Sequence, residues 1–150
     1  MATGPFQAYE LGLLELAKGT YAFEAQTDYK AALLEAAYTP NLATHSLYSD
    51  LTNEWAGGGG YTTGGLALST HALAITQISG GIKFDCSDIT WGASTTIGPV
   101  KYCAIYQDAV TKRLLFLCDL DTTPGSVSST ASAFTITINT NGLYQIDANA

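Results

Sequence analysis

The stretch NEWAGGGGYTTGGLALS, residues 53–69, restricts the possible folds of this chain more than any other feature. Six of the nine residues from 57 to 65 are glycine. Glycine weakens helices and strands, but it adopts positive φ freely and lets other backbone approach closely. The stretch therefore predicts a turn or loop, which could cradle a phosphate, link two domains or shape the inside of one.

Two phosphate-binding motifs fail on these residues. A Walker loop needs Lys and then Ser or Thr directly after its second glycine, but Gly64 is followed by Gly65 and Leu66. The dinucleotide pattern GxGxxG requires glycine at position 62 or 63, and both positions are threonine. Both motifs also need a following helix, whereas residues 66–76 favour a strand. We therefore expect a folding element inside one domain.

The chain is acidic and poor in charge. Charged residues make up 13% of its 150 residues, and the net charge is −7. Such a chain has no basic stripe to neutralise phosphates, so we expect neither a nucleic-acid partner nor binding to an anionic membrane. The length suits a single domain over residues 1–150. No signal peptide or apolar membrane span is visible, so we expect synthesis in a reducing cytoplasm.

The N-terminal residues predict the one helix, over residues 5–18 of an N-terminal unit 1–19. Thr3 or Gly4 can cap it, and Gly19 provides a terminating glycine. Four apolar residues recur at helical spacing: Phe6, Tyr9, Leu13 and Leu16. A helix this short is marginal alone, so the stripe must dock. Its partner is either the chain's own β-domain or a neighbouring subunit.

Residues 20–150 predict an antiparallel β-sandwich, jelly-roll or immunoglobulin-like, because short β-forming runs alternate with turn signals. The expected strands are 21–25, 30–37, 66–78, 82–86, 97–107, 113–120, 126–138 and 143–147. Residues 30–37 would favour a helix by propensity alone, but the following Tyr38-Thr-Pro40 favours a strand that stops there. Residues 41–56 predict an irregular connection with a helical turn between 47 and 55.

Two turns have a readable mechanism. Pro124-Gly125 fits a tight turn, because proline sets φ and glycine supplies positive φ. For the last two strands we expect a three-residue loop, Thr140-Asn-Gly142, with Gly142 in the left-handed region. That loop would pair Ile138 with Tyr144 and Ile136 with Ile146, which keeps the apolar side chains on one face.

No residue pattern indicates catalysis, a cofactor or a metal. His45 and His71 lack partners at ligand spacing. Two acid pairs occur, Asp85 with Asp88 and Asp119 with Asp121. Alternation along a strand would put Asp119 and Asp121 on one face, where they could bind Ca²⁺ or act as an acid pair. For both pairs, capping of backbone amides at strand ends is the favoured explanation. Cys86, Cys103 and Cys118 form no CxxC, and we expect buried reduced thiols, although Cys103 and Cys118 could lie close together.

Five stretches in order carry a resemblance. They are KAALLEAAYTP (30–40), Ser49-Asp50 with Glu54, GYTTGG (60–65) with Leu68, IKFDCSDITW (82–91) and KYCAIY (101–106), followed by FTITI from Phe134. Together they resemble a family of small virion proteins of tailed bacteriophages over residues 28–146. The resemblance also supports a strand at 30–37. Cys86 stands where a small alanine is usual, and the glycine run before Tyr61 is longer than expected.

The resemblance implies a non-enzymatic β-sandwich protein of the virion. The first expectation is a capsid decoration, or cement, protein on the outer head surface, with the major capsid protein and further copies of itself, as a trimer, as partners. A tail or fibre-base accessory protein, or a host-surface glycan-binding module, is the alternative. Trp55 and Trp91 are expected core or interface anchors. The expected contact residues are Phe6, Tyr9, Leu13, Trp55, Gly58, Gly59 and Tyr61.

Overall fold

The computed structural model describes residues 4–24, 28–123 and 125–148. The chain is mainly β, with three antiparallel sheets and one helix near the N-terminus, which confirms the predicted fold class and is consistent with a β-sandwich. The elements are β1 (Phe6–Ala8), α1 (Glu10–Ala17), β2 (Tyr29–Leu34), a 3-10 turn (Tyr48–Asp50), β3 (Leu66–Ala67), β4 (Ala74–Ile78), β5 (Gly81–Asp85), β6 (Ile89–Val100), β7 (Tyr102–Gln107), β8 (Arg113–Asp119), β9 (Val127–Ile136) and β10 (Tyr144–Asp147).

A five-stranded sheet in the order β1-β8-β7-β2-β3 forms the centre of the protein. Its three middle strands are almost wholly buried on both faces. One face packs into a core with Phe23, Phe84 and Trp91, and the other packs into a second cluster with Tyr9 and Tyr38. This burial explains why these strands read as nearly continuous apolar runs rather than as alternating ones.

The predicted strand at 30–37 is confirmed in its first part as β2, over Tyr29–Leu34, whereas residues 35–37 leave the strand and turn. Its alanines and leucines favour a helix in isolation, but β2 lies between β7 and β3 and pairs with both. Small side chains such as Ala31 and Ala32 are fully buried there. The close packing of neighbouring strands therefore outweighs the local helical preference.

The N-terminal helix is shorter than the predicted 5–18. Residues 6–8 form the edge strand β1, in which Phe6 pairs with Cys118 of β8, and the helix begins only at Glu10. Tyr9 has extended backbone and makes no side-chain cap, so the predicted capping by Gly4 is wrong, and Thr3 lies outside the described residues. Pairing with β8 satisfies backbone groups that the first helical turn would leave unpaired. The predicted end at Gly19 is confirmed, with φ of +72°.

Two predicted strands are each split between sheets. Residues 66–78 form β3, which pairs with β2, and β4, which pairs with β5, because a turn intervenes in which Ala72 has positive φ. Residues 97–107 contain the end of β6 and all of β7, divided at Lys101. Residues 21–24 are not a strand, and residue 25 lies outside the described residues. A turn inside an apolar run thus divides it into two strands that belong to different sheets.

The predicted hairpin between the last two strands is wrong. β9 pairs with β6, placing Ile136 opposite Ile89, and β10 pairs with β5, placing Ile146 opposite Ile82. Gly142 does have positive φ, +75°, and a Cβ there would lie 2.4 Å from the carbonyl oxygen of Phe84. The residues of the loop therefore predict its backbone conformation, but they do not predict which strands pair with each other. Pro124 of the other predicted turn lies outside the described residues.

Substitution of Gly12 tests how closely α1 packs on β8. A Cβ at this position would lie 2.0 Å from the carbonyl oxygen of Leu114, which is backbone and cannot swing away. We expect Gly12→Ala to reduce the free energy of unfolding by about 1–3 kcal/mol or more, as overpacking does. Gly92→Ala is the matched control, because a Cβ there would meet no atom within 4 Å. Urea unfolding of both variants measures the difference, and equal stabilities would contradict this packing.

Candidate functional site

The glycine-rich loop adopts a conformation that only glycine tolerates well. All six glycines between residues 57 and 65 have positive φ, from +58° to +97°. The loop also lies directly on other backbone: a Cβ on Gly59 would be 2.1 Å from the carbonyl oxygen of Thr96 in β6, and one on Gly65 would be 2.1 Å from that of Ala31 in β2. The stretch is therefore a packed folding element between two layers of the same protein.

Glu54 holds this loop in place. Its carboxylate accepts hydrogen bonds from the backbone N–H of Gly64 at 2.7 Å, from the hydroxyl of Tyr61 at 2.7 Å and from the hydroxyl of Tyr48. The Tyr61 oxygen in turn accepts the backbone N–H of Leu33 at 3.0 Å. One carboxylate thus joins the loop to β2 and to the 3-10 turn.

Tyr106 completes the arrangement from β7. Its hydroxyl donates to the carbonyl oxygen of Gly64 at 2.7 Å, and its ring lies 4.7 Å from that of Tyr48. Burial raises the pKa of Tyr61, and its hydrogen bond to Glu54 raises it further. The same two causes raise the pKa of Tyr48. Both phenols therefore stay protonated around neutral pH and serve as hydrogen-bond donors rather than acids.

Part of this arrangement was visible in the sequence. Glu54, Tyr61 and the glycines belong to the motifs quoted above, but no role for Glu54 followed from their spacing. Tyr48 was missed because it lies in an irregular connection without a readable pattern. Tyr106 ends the motif KYCAIY, but its role was missed because it lies on a strand far from Glu54 along the chain. A signal was present only in the chemistry: an isolated glutamate close to several tyrosines in a chain with few charged residues.

The predicted contact residues divide into three groups. Tyr9 and Tyr61 are buried, 0% and 3% exposed, so their side chains present no surface to a partner. The side chains of Phe6, Leu13 and Trp55 are half-buried and pack against the chain's own core. Gly58 and Gly59 are exposed at the tip of the loop. The structure does not bring these residues together into one surface. Trp91, named as a core or interface anchor, lies in the core.

The two acid pairs have local roles. Asp119 forms an ion pair with Lys101 at 3.1 Å and accepts the backbone N–H of Asp121, which itself accepts from a threonine two residues later. Asp85 and Asp88 each accept a backbone N–H at the end of a strand, at 3.0 and 2.8 Å. The favoured explanation, capping of backbone amides, is confirmed for both pairs.

The histidines lie apart. A ring nitrogen of His45, Nδ1, is 2.8 Å from the hydroxyl of Tyr38. His71 lies in the turn between β3 and β4, and its partial burial lowers its pKa. Among the residues that the structure describes, no three His, Cys, Asp or Glu side chains are grouped so that they could hold a metal ion.

None of the helices in the described ranges is long and apolar enough to cross a membrane.

The three cysteines are free and buried, as predicted. Cys103 and Cys118 lie directly opposite each other on β7 and β8. Burial raises the pKa of Cys86 and Cys118 to about 12 and that of Cys103 well above its usual value. The thiols are therefore protonated at neutral pH, so they lack the thiolate that nucleophilic or redox chemistry needs.

No protein-family profile, curated protein or solved structure matches this chain. The resemblance to phage virion proteins therefore still rests on the sequence motifs alone. Several side chains of the motifs lie in the packed interior, including Tyr61, Trp91 and Tyr106. Function has to be argued from the surfaces that this interior supports.

Glu54 provides the sharpest test of the loop. In Glu54→Ala, the donors Tyr48, Tyr61 and Gly64 lose their acceptor, and each buried unsatisfied donor costs about 1–3 kcal/mol. We therefore expect a loss of at least about 3 kcal/mol in the free energy of unfolding. Glu54→Gln retains one carbonyl oxygen and should lose less. Glu10→Ala, an exposed change in the first turn of α1, should cost less than about 1 kcal/mol.

Hydrogen exchange locates the effect. We expect the backbone N–H of Gly64 to exchange much faster in Glu54→Ala than in the wild type, while the amides of β8 keep their relative order of protection. An unchanged exchange rate at Gly64 would contradict the role given to Glu54.

His71 predicts a pH dependence of stability. Its pKa is lowered by burial, whereas an unfolded histidine titrates near about 6.5. Below that pH the unfolded chain takes up a proton before the folded chain does, so stability falls as the pH drops toward the folded pKa. Thermal unfolding at pH 7.5 and 5.0 should show a smaller loss of Tm for His71→Gln than for the wild type. Identical losses would contradict this prediction.

Proposed function

We propose that this chain is a non-enzymatic structural protein of a tailed-phage virion, and more narrowly a capsid decoration protein that binds the outer surface of the head and stabilises it. The ordered motifs between residues 30 and 138 support the family, as described above. The mainly β fold is compatible with such a role but does not by itself imply a function. The surface chemistry of one sheet supports contact with another protein.

The observation that carries the proposal is the uncharged sheet formed by β6 and β9. Its strands contain 12 and 10 residues, and none of these is charged, although the chain has a net charge of −7. The inner side chains, such as Trp91 and Phe134, are buried. The outer ones are small and exposed, and they include Thr90, Gly92 and Ala133.

A face of this kind can be buried against another protein at low cost. Interface cores are depleted of charged residues, because a charge that loses its water must find a partner. On this chain, copies or other acidic proteins would repel one another through most surfaces. No residue of β6 or β9 is charged, so a partner that covers the β6–β9 face meets no like charge on the residues it contacts.

The glycine-rich loop adjoins this face. The backbone N–H of Thr96 in β6 donates to the carbonyl oxygen of Gly59 at 2.7 Å, so the loop is attached along the strand. Gly58 and Gly59 are exposed and carry no side chains, and a Cβ on Gly58 would meet nothing within 4 Å. The loop can therefore lie flat against a neighbouring molecule beside the sheet. This retains Gly58 and Gly59 as proposed contact residues.

The proposal includes the partners and the location. The major capsid protein contacts the uncharged face, further copies of the chain assemble on the shell as a trimer, and the acidic charge keeps the protein on the outside, away from DNA. The first 18 residues are a less suitable docking element than the sequence indicated. β1 belongs to the central sheet and Tyr9 to its second core cluster, so removal of residues 1–18 would damage the fold itself.

A charge placed on the face tests this proposal. We expect Ala133→Glu to weaken binding to heads at least about tenfold, since the new carboxylate must lose its water in the interface. The heads are assembled from the major capsid protein of the same phage and lack this chain. Gln77→Glu adds the same charge on the exposed side of β4, in a different sheet, and should bind as the wild type does.

Sedimentation with heads and cryo-electron microscopy provide the measurement. Absence of wild-type binding to heads would overturn the decoration role. Binding of Ala133→Glu with wild-type affinity would overturn the assignment of the face while leaving the role standing. Equal thermal stability of Ala133→Glu and Gln77→Glu would show that a loss of binding in Ala133→Glu arises at the surface and not from a damaged fold.

A further inference from the structure

A cavity of about 620 Å³ lies between the start of β1 and the connection from β9 to β10. Its size falls within the range of about 300–1,000 Å³ that is usual for small-molecule sites. The side chains that give it its chemistry are two aromatic rings, one of them a phenol, three amides and an aliphatic hydroxyl, contributed by Phe6, Tyr144, Asn139, Asn141, Gln145 and Thr137. The cavity lies apart from both the glycine-rich loop and the uncharged β6–β9 face.

The lining has no charge. None of the residues that line the cavity is acidic or basic, and the segment from residue 122 to 146, which contributes most of the lining, lacks charged residues. A site for a phosphate or a carboxylate needs cations, and a site for an amine needs acidic or aromatic partners arranged around it. The amides and the hydroxyl also set the cavity apart from a purely apolar pocket. The chemistry therefore suits a neutral, polar ligand.

The two aromatic rings are held in place by the fold. Tyr144 is half-buried, and its ring stacks on that of the buried Phe116, with centroids 5.9 Å apart and an angle of 29° between the planes. Phe6 is half-buried in β1, where its backbone pairs with β8. Rings fixed in this way offer flat apolar surfaces without an entropic cost of ordering them on binding.

The polar side chains of the lining keep both hydrogen-bond donors and hydrogen-bond acceptors available for a ligand. Asn139 uses its side-chain oxygen to accept the backbone N–H of Asn141 at 2.9 Å, which leaves its NH₂ group for a ligand. Gln145 uses its NH₂ group to donate to the carbonyl oxygen of Asn141 at 3.1 Å, which leaves its side-chain oxygen. Within the described part of the chain, the side chains of Asn141 and Thr137 make no hydrogen bond. Donors and acceptors thus stand beside aromatic surface.

We propose that this cavity is a binding site for a neutral carbohydrate. A sugar ring presents one face of C–H groups, which packs on an aromatic ring, and an edge of hydroxyls, each of which donates and accepts a hydrogen bond. Tyr144 and Phe6 supply the aromatic surface, and Asn139, Asn141 and Gln145 supply amide donors and acceptors. The site goes beyond the decoration role and does not depend on it.

Nuclear magnetic resonance of the full chain tests the site with defined probes. Maltose, lactose and N,N′-diacetylchitobiose are titrated separately, and sodium glucuronate serves as the charged comparator. We expect at least one neutral disaccharide to shift the backbone amide signals of residues 137–145 in a saturable manner, and glucuronate to shift them less. Asn141→Ala and Thr137→Ala should each weaken that binding at least about tenfold, which corresponds to about 1.4 kcal/mol.

The variants are chosen so that folding does not decide the result. Neither side chain is hydrogen-bonded within the described residues, so both variants should keep the wild-type spectrum elsewhere. Gln77→Ala removes an exposed amide from β4, outside the cavity, and should bind as the wild type does. The proposal is overturned if no disaccharide shifts these signals, if the shifts lie in another region, if glucuronate binds as well, or if both cavity variants bind normally.

Discussion

The hydrogen bonds of Glu54 hold together parts of the chain that no sheet joins directly. One carboxylate accepts from the glycine-rich loop, from the buried phenol of Tyr61 and from the phenol of Tyr48. The loop in turn lies on the backbone of β2 and β6, which belong to different sheets. A charged acceptor surrounded by fixed donors is stronger than a neutral one, so this single side chain can stabilise a loop that glycine makes entropically costly to order.

The structure presents two uncharged surfaces. Charged side chains lie outside β6 and β9, and neither the β6–β9 face nor the segment from residue 122 to 146 carries one. An uncharged flat sheet and an uncharged concave cavity have different uses. The sheet can be covered by a large partner, whereas the cavity between β1 and β10 can enclose only a small ligand.

Local physical chemistry explains most of the sequence predictions that are confirmed. Strands such as β2 and β8 follow from apolar runs that end at turn signals, and positive φ at Gly142 follows from the loop that needs it. Asp85, Asp119 and Asp121 each cap an amide one or two residues away. Asp88 instead caps the amide of Ile138, which only the fold brings close to it. The failures are nonlocal. Residues 6–8 form a strand because β8 offers an edge, and β9 leaves β10 because β6 is a longer partner.

The sequence by itself determined the mainly β character of this protein, the acidic charge and the need for a glycine loop. Each of these follows from residue type and short spacing, which act within a few residues. Only the tertiary structure decided which strands pair, that Tyr48, Tyr61 and Tyr106 gather around Glu54 and Gly64, and that Phe6 and Tyr144 line one cavity. Tyr106 lies far from Glu54 along the chain, and Phe6 lies far from Tyr144. Strand pairing is satisfied equally well by several partners until packing in three dimensions selects one.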